Sequence, residues 1–250
     1  MIELFDSHVH LEPDGLEDTL SRAAEVGVNR FLAIGASDGL KSNMQAKGIA
    51  SKYDNIWFTA GIHPHDAKDY QNIDGLESFL KNNKLKAIGE TGLDYYRDWA
   101  PKDSQQKLFE AHLALAKDMS LPVVIHSREA AGDCLATIKK FLPLKGVFHC
   151  FSDDLKTAEE IISIGFYVSI PGSLTFKKSE SFRDTVSKIP LEKILLETDA
   201  PYITPEPFRG KKNESAFMFY TAKKLAEIKK ESLEKIASIT TSNTRELFSI

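Results

Sequence analysis

Eight short runs of apolar, β-branched and aromatic residues, separated by longer stretches of helical period, constrain this chain more than any other feature. The runs cover residues 2–5, 30–34, 56–60, 85–88, 123–125, 146–148, 166–170 and 194–196. Between them, residues 101–119 set Leu108, His112, Leu115 and Met119 near one face, and residues 153–164 gather Leu155, Ala158, Ile161 and Ile162. Continuous apolar strands that alternate with amphipathic helices signal parallel strands covered on both faces. Eight such units joined by right-handed crossovers predict an α/β fold, a single-domain (β/α)8 TIM barrel with a C-terminal closing helix at Leu233–Phe248. No repeat, charge block or Gly/Ser-rich linker divides residues 1–250, which predicts one domain.

The composition suits that fold and removes several functions. With 42% apolar and 27% charged residues the chain can bury a full core, so disorder is excluded. The 32 basic residues against 36 acidic ones give a net charge of −4, which excludes a polybasic protein that coats nucleic acid but not a local cationic site. Residues 1–6 have neither a basic stretch nor a long apolar one, and no segment has the ~18 apolar residues of a membrane span. A cytoplasmic protein with no membrane partner is expected. Cys134 and Cys150 form no CxxC pair and read as packed thiols.

The polar residues then fall in a telling order. In a β/α barrel, chemistry gathers where strands end and the following loops begin. Asp6-Ser7-His8-Val9-His10 ends the first run, Gly61-Ile62-His63-Pro64-His65 the third and Gly89-Glu90-Thr91-Gly92 the fourth. His126 follows the fifth, His149 the sixth and Glu197-Thr198-Asp199 the eighth. Six of the seven histidines thus sit at one end of the expected barrel, and His112 alone lies within a helix, where it reads as a core residue.

Spacing gives the cluster its chemistry. His8 and His10 are two apart on a strand and share a face. Imidazole nitrogens and carboxylates suit divalent transition metals. His8, His10, Glu90, His126, His149 and Asp199 exceed the need of one tetrahedral ion, so two divalent metal ions (Mg, Mn or Zn) sharing a carboxylate fit the inventory better. Such a pair polarises a phosphoryl or carbonyl oxygen and supplies hydroxide at neutral pH.

These segments resemble the TatD family of metal-dependent deoxyribonucleases, within the amidohydrolase-like barrel superfamily. The likeness is carried by residues 6–11, 61–65, 88–95, 122–128, 149–152, 196–202 and 209–214. The resemblance implies that His8 and His10 hold one metal with Asp199, that His126 and His149 hold the second, and that Glu90 bridges the two. It also implies that Asp199 takes the proton from the nucleophilic water and that His63 meets a substrate phosphate. Val9, Glu12 and Ser215 depart from the family's usual residues without removing a ligand. Relatives that bridge their metals with a carboxylated lysine are disfavoured, because Lys86 lies at the entrance of the fourth strand and Glu90 at its end.

Further residues join the expected site. Arg128 and Arg209, with Lys177, Lys178, Lys211 and Lys212, lie on loops of the same face, where they either clamp phosphates or are simply solvated. Tyr95, Tyr96 and Trp99 follow the fourth strand and either stack nucleobases or pack on the rim. Glu197 shares the inward face of Asp199 and reads as a group orienting a ligand or water. Asp6 is open between orienting a histidine and a buried structural role, and His65 between a structural role and the site.

The expected activity is hydrolysis of DNA phosphodiesters, with single-stranded DNA as the substrate and no obligate protein partner legible. The resemblance adds 3′-to-5′ exonuclease polarity. The alternative is a binuclear C–N or lactone hydrolase on the same barrel.

Overall fold

The computed structural model describes residues 2–70 and 72–250. Strands β1 (Leu4–Val9), β2 (Val28–Ala33), β3 (Ile56–Ala60), β4 (Leu85–Asp94), β5 (Val123–Arg128), β6 (Gly146–Phe148), β7 (Tyr167–Ile170) and β8 (Ile194–Leu196) form one parallel sheet in sequential order. Helices follow the strands in turn: α1 (Leu16–Glu25), α2 (Gly39–Ala50), the short α3 (Glu77–Leu80), α4 (Lys102–Met119), α5 (Ala131–Lys139), α6 (Leu155–Ser163), α7 (Glu180–Lys188) and α8 (Met218–Lys229). A final helix, α9 (Leu233–Phe248), occupies the predicted span and starts on Ser232, whose Oγ accepts the Lys235 N–H. None of these helices is long and apolar enough to cross a membrane.

The sheet closes on itself. Val9 bridges Ala200 in parallel, the Asp199 N–H donates to the His8 carbonyl at 3.0 Å, and the His10 N–H donates to the Ala200 carbonyl at 2.9 Å. Every strand contributes a side chain to one apolar layer: Phe5, Leu32, Trp57, Ala87, Val124, Val147, Tyr167 and Leu195. Only a barrel interior brings one residue of each strand together. Leu247 and Phe248 of α9 plug that layer from below. Asn243 fixes the plug by donating to the Leu191 and Ile194 carbonyls at the entry of β8.

Several boundaries differ from the sequence reading. Strands β1, β4 and β5 run past their apolar stretches, through Asp6 and His8, through Glu90 and Asp94, and through His126. Glu90 therefore lies within β4 rather than at its end. The polar residues remain in the strands because the sheet still pairs around them, with Gly92 against His126 and Asp94 against Arg128. On α4 the buried face runs through Gln105, Leu108, Phe109, His112, Leu113 and Ala116, while Met119 is exposed. Gly92 is required where it stands: its φ is +141°, and a Cβ there would lie 2.0 Å from the His126 carbonyl oxygen. That contact brings β4 close enough to β5 for Glu90, Asp94 and His126 to meet.

His112 has the structural role read for it. Its Nδ1–H donates to the Leu108 carbonyl at 2.7 Å and its Nε2 accepts the Ile62 N–H at 3.0 Å, so α4 is pinned beneath the loop that carries His63. Burial pushes this imidazole down to about 4. The unfolded ring takes a proton below its ordinary value of about 6.5 while the folded ring stays neutral, so stability falls as pH drops from 6.5 to 4. The full loss below that window is about 3 kcal/mol from this one residue. Imidazole NMR at pH 5.5 is expected to find His112 neutral with its proton on Nδ1; a ring titrating near 6.5 would contradict the assignment.

Candidate metal centre

Six ligand-type side chains converge above the apolar layer, in two groups that meet at Glu90. His8 Nε2 and His10 Nε2 lie 3.7 and 3.5 Å from Asp199 Oδ1, and His8 Nε2 lies 3.5 Å from Glu90 Oε2. The other Glu90 oxygen, Oε1, faces His149 Nε2 at 2.8 Å and His126 Nδ1 at 2.9 Å. One buried carboxylate thus turns one oxygen to His8 and the other to His126 and His149. Its position rests on β4, its neighbours on β1, β5 and the ends of β6 and β8.

The geometry fits divalent cations. Donor atoms that surround one ion at 2.0–2.2 Å stand about 3.3–3.6 Å from one another, close to the separations of His8, His10, Asp199 and Glu90. Those separations are too long for hydrogen bonds. Both ring nitrogens of His8, buried to 1% exposure, lack a hydrogen-bond partner, a costly state unless something else engages them. The His8 ring stacks on that of His149 at 3.9 Å, so the cage is already assembled.

The surrounding charges match. Burial alone would raise the Glu90 carboxyl, but the charge on His149 and hydrogen bonds from His149 and His126 hold it well below the usual carboxylate range. Asp199 is held down against burial by His10, His8 and His149. Burial would lower His149, yet Glu90 and Glu197 keep it well above the usual imidazole value. His8, beside that charged ring, is pushed down by burial. Asp199 takes its place through a left-handed backbone (φ +53°), a conformation that Asp tolerates better than most residues.

A second tier of contacts orients these groups. Glu197 is fully buried, accepts the Cys150 N–H at 2.7 Å and lies 3.7 Å from His149 Nδ1, on the side of that ring away from Glu90. Asp6 differs from the histidine-orienting alternative. Its oxygens accept the Thr198 N–H and hydroxyl and the Ser215 hydroxyl, so it ties β1 to the loop after β8. Burial raises this carboxyl to about 7, against those hydrogen bonds.

The residue that sequence reasoning missed is Asp94. It is 1% exposed, and its Oδ2 accepts from His126 Nε2 at 2.9 Å and from His65 Nε2 at 2.7 Å. In the protonated ring Nε2–H goes to Asp94 and Nδ1–H to Glu90; with Nε2–H kept on the carboxylate, loss of the other proton would free the Nδ1 lone pair for a metal ion. These hydrogen bonds, the His126 bond foremost, outweigh burial and hold Asp94 well below the usual carboxylate range. His65 belongs to this hydrogen-bonded tier.

His63 Nε2 lies 3.3 Å from Glu90 Oε1, while its Nδ1 accepts the His65 N–H at 3.2 Å. Burial pushes the ring down to about 4. A neutral ring that accepts on Nδ1 carries its proton on Nε2, so His63 presents a donor to the centre rather than a lone pair.

Arg128 and Arg209 are exposed on the same mouth, their guanidinium groups lying over Tyr96 at 4.1 Å and over Phe176 at 3.7 Å. Lys177, Lys178, Lys211 and Lys212 are exposed, Lys212 pairing with Glu12. Asn213, in the same run, pins the loop after β8 by donating to the Thr198 and Tyr202 carbonyls.

Comparison with known proteins identifies the family. Residues 5–249 match the model of the TatD related DNase family. The chain is 38% identical to the uncharacterized metal-dependent hydrolase YabD of Bacillus subtilis, covering 99% of both chains. It is 33% identical to the 3′-5′ ssDNA/RNA exonuclease TatD of Citrobacter koseri, over 94% of this chain and 93% of that one. The crystal structure of YjjV, a TatD homologue of Escherichia coli, superposes with a TM-score of 0.91 at 29% identity, over 99% and 98% of the two chains. The chain belongs to the TatD related DNase family, as a metal-dependent hydrolase built on a TIM barrel.

Proposed function

We propose that the protein is a two-metal phosphodiesterase that removes nucleotides from the 3′ end of single-stranded DNA. The observation that carries this reading is Glu90, whose Oε2 faces His8 and whose Oε1 faces His126 and His149. The likeness to the Citrobacter exonuclease supports the substrate class and the polarity. His8, His10 and Asp199 on one side of Glu90, and His126 and His149 on the other, would hold two magnesium, manganese or zinc ions, which would supply Lewis acidity at a phosphoryl oxygen and lower the pKa of water.

The chain's own groups do the rest. Asp199, ionised at neutral pH, accepts the proton of the attacking water. His63 donates its Nε2–H to a nonbridging phosphoryl oxygen, where charge grows in the transition state. Arg128 and Arg209 neutralise phosphates along the mouth, each kept flat by the aromatic ring beneath it. Glu197 and Asp94 hold His149 and His126 in register.

A substrate panel separates this reading from the C–N or lactone hydrolases. With added magnesium or manganese, a single-stranded oligodeoxynucleotide is expected to release mononucleotides while amides and lactones stay intact, and a chelator should stop the release. Turnover of an amide or lactone without nucleotide release would overturn the reading.

A further inference from the structure

The loop after β4 is a built platform rather than a loose connection. Asp94 Oδ1 accepts the backbone N–H groups of Tyr96 and Arg97 at 3.0 and 2.9 Å, while its other oxygen holds His65 and His126. Gln105, 1% exposed, closes the loop at its base: its Oε1 accepts the Asp94 N–H, and its Nε2 donates to the Asp94 and Ala100 carbonyls. On this frame two large aromatic side chains face outward, Tyr96 and Trp99, each 54% exposed. Arg97 braces both rings at 5.3 Å. Exposing a tryptophan on so firmly held a loop wastes apolar surface unless something covers it.

Position says what would cover it. A line of rings leads from the centre to the rim: His63 beside Glu90, His65 at 4.2 Å from His63, and Trp99 at 4.4 Å from His65. Both ring pairs meet edge to face, so the His65 ring abuts the indole and the rest of Trp99 stays open. A phosphate held at the centre has a nucleoside on either side, each carrying a planar base. Aromatic side chains stack on bases without regard to sequence, and guanidinium groups beside them add affinity for the backbone.

Resting on the phosphodiesterase reading, we infer that Trp99 is a stacking subsite for one of the two bases that flank the scissile phosphate, held in place by Asp94 and Gln105 and flanked by Tyr96 and Arg97. The shelf then favours polynucleotide over other phosphodiesters, and favours unpaired strands, whose bases are free to stack.

The test is a cycle between protein and substrate. W99A is compared with wild type on a single-stranded oligodeoxynucleotide and on two versions lacking the base at one or the other position beside the scissile bond. On the complete strand, W99A is expected to lower kcat/KM roughly ten-fold, mostly through KM, and W99F to restore most of the loss. Removing the stacked base should slow wild type by a similar factor and bring the two proteins to the same rate, which identifies the base. Equal slowing of W99A on all three substrates, or no slowing on the complete strand, overturns the subsite while the nuclease reading stands. A metal-loaded wild type that leaves the complete strand untouched overturns that reading and the subsite with it.

Discussion

Replacing Glu90 with alanine is expected to lower turnover on the order of 10³-fold or more, equivalent to about 4 kcal/mol of lost transition-state stabilisation. The magnitude follows from the position of the carboxylate between the two imidazole sets: its Oε2 faces His8, and its Oε1 faces His126 and His149. Alanine removes the one group common to both halves and one of the two carboxylates that face the cations, leaving Asp199. Bound metal should fall below two ions per chain by elemental analysis. The barrel itself should persist, since β4 is held by backbone pairing to β3 and β5 and by the buried Leu85, Ile88 and Leu93. In the metal-free protein the same substitution strips the buried imidazoles of a counter-charge, at a cost of about 3 kcal/mol. Far-UV circular dichroism unchanged, together with lost metal and lost turnover, is the expected outcome. Normal turnover with two bound ions would sink the bridging role.

Asp94 should give the second largest effect, split by the choice of substitution. Groups that orient a ligand from behind typically contribute 10–100-fold to metal affinity. Asp94→Ala removes the acceptor of His126 and His65 and also the anchor of the loop after β4. It is expected to weaken metal binding by roughly that factor and to loosen Trp99, visible as a change in indole emission. Asp94→Asn keeps an oxygen able to accept the Tyr96 and Arg97 N–H groups but loses the charge. Metal affinity should therefore fall about ten-fold in the asparagine variant while the emission stays close to wild type. Calorimetric titration with manganese reads the first quantity. Wild-type affinity in both variants would contradict the orienting role.

The barrel was legible because its signal is the alternation of apolar runs with stretches of helical period; the last helix occupies the expected 233–248, and the structure adds its cap on Ser232. The strand ends were less legible. A reading based on apolar runs stops β4 at Ile88, whereas the backbone continues to Asp94 through residues that are polar and buried. The six ligand-type residues were visible because histidine and acid recur at the same point of successive units. Asp94 was hidden by the opposite circumstance: its partners His65 and His126 lie 29 and 32 residues away, and the neighbouring aromatics drew the reading toward the loop. A clue was present, since Glu90, Gly92 and Asp94 alternate along one strand. Nothing local marks Asp6 as the partner of Thr198 and Ser215, which only barrel closure brings near it.

The most direct test of the account is digestion of a 5′-end-labelled single-stranded oligodeoxynucleotide, with magnesium or manganese and with a chelator control. The expected result is a ladder that shortens one nucleotide at a time from the 3′ end, vanishes with the chelator and is absent in Glu90→Ala. An intact strand after incubation with protein carrying both ions, or a ladder indifferent to the chelator, would contradict it.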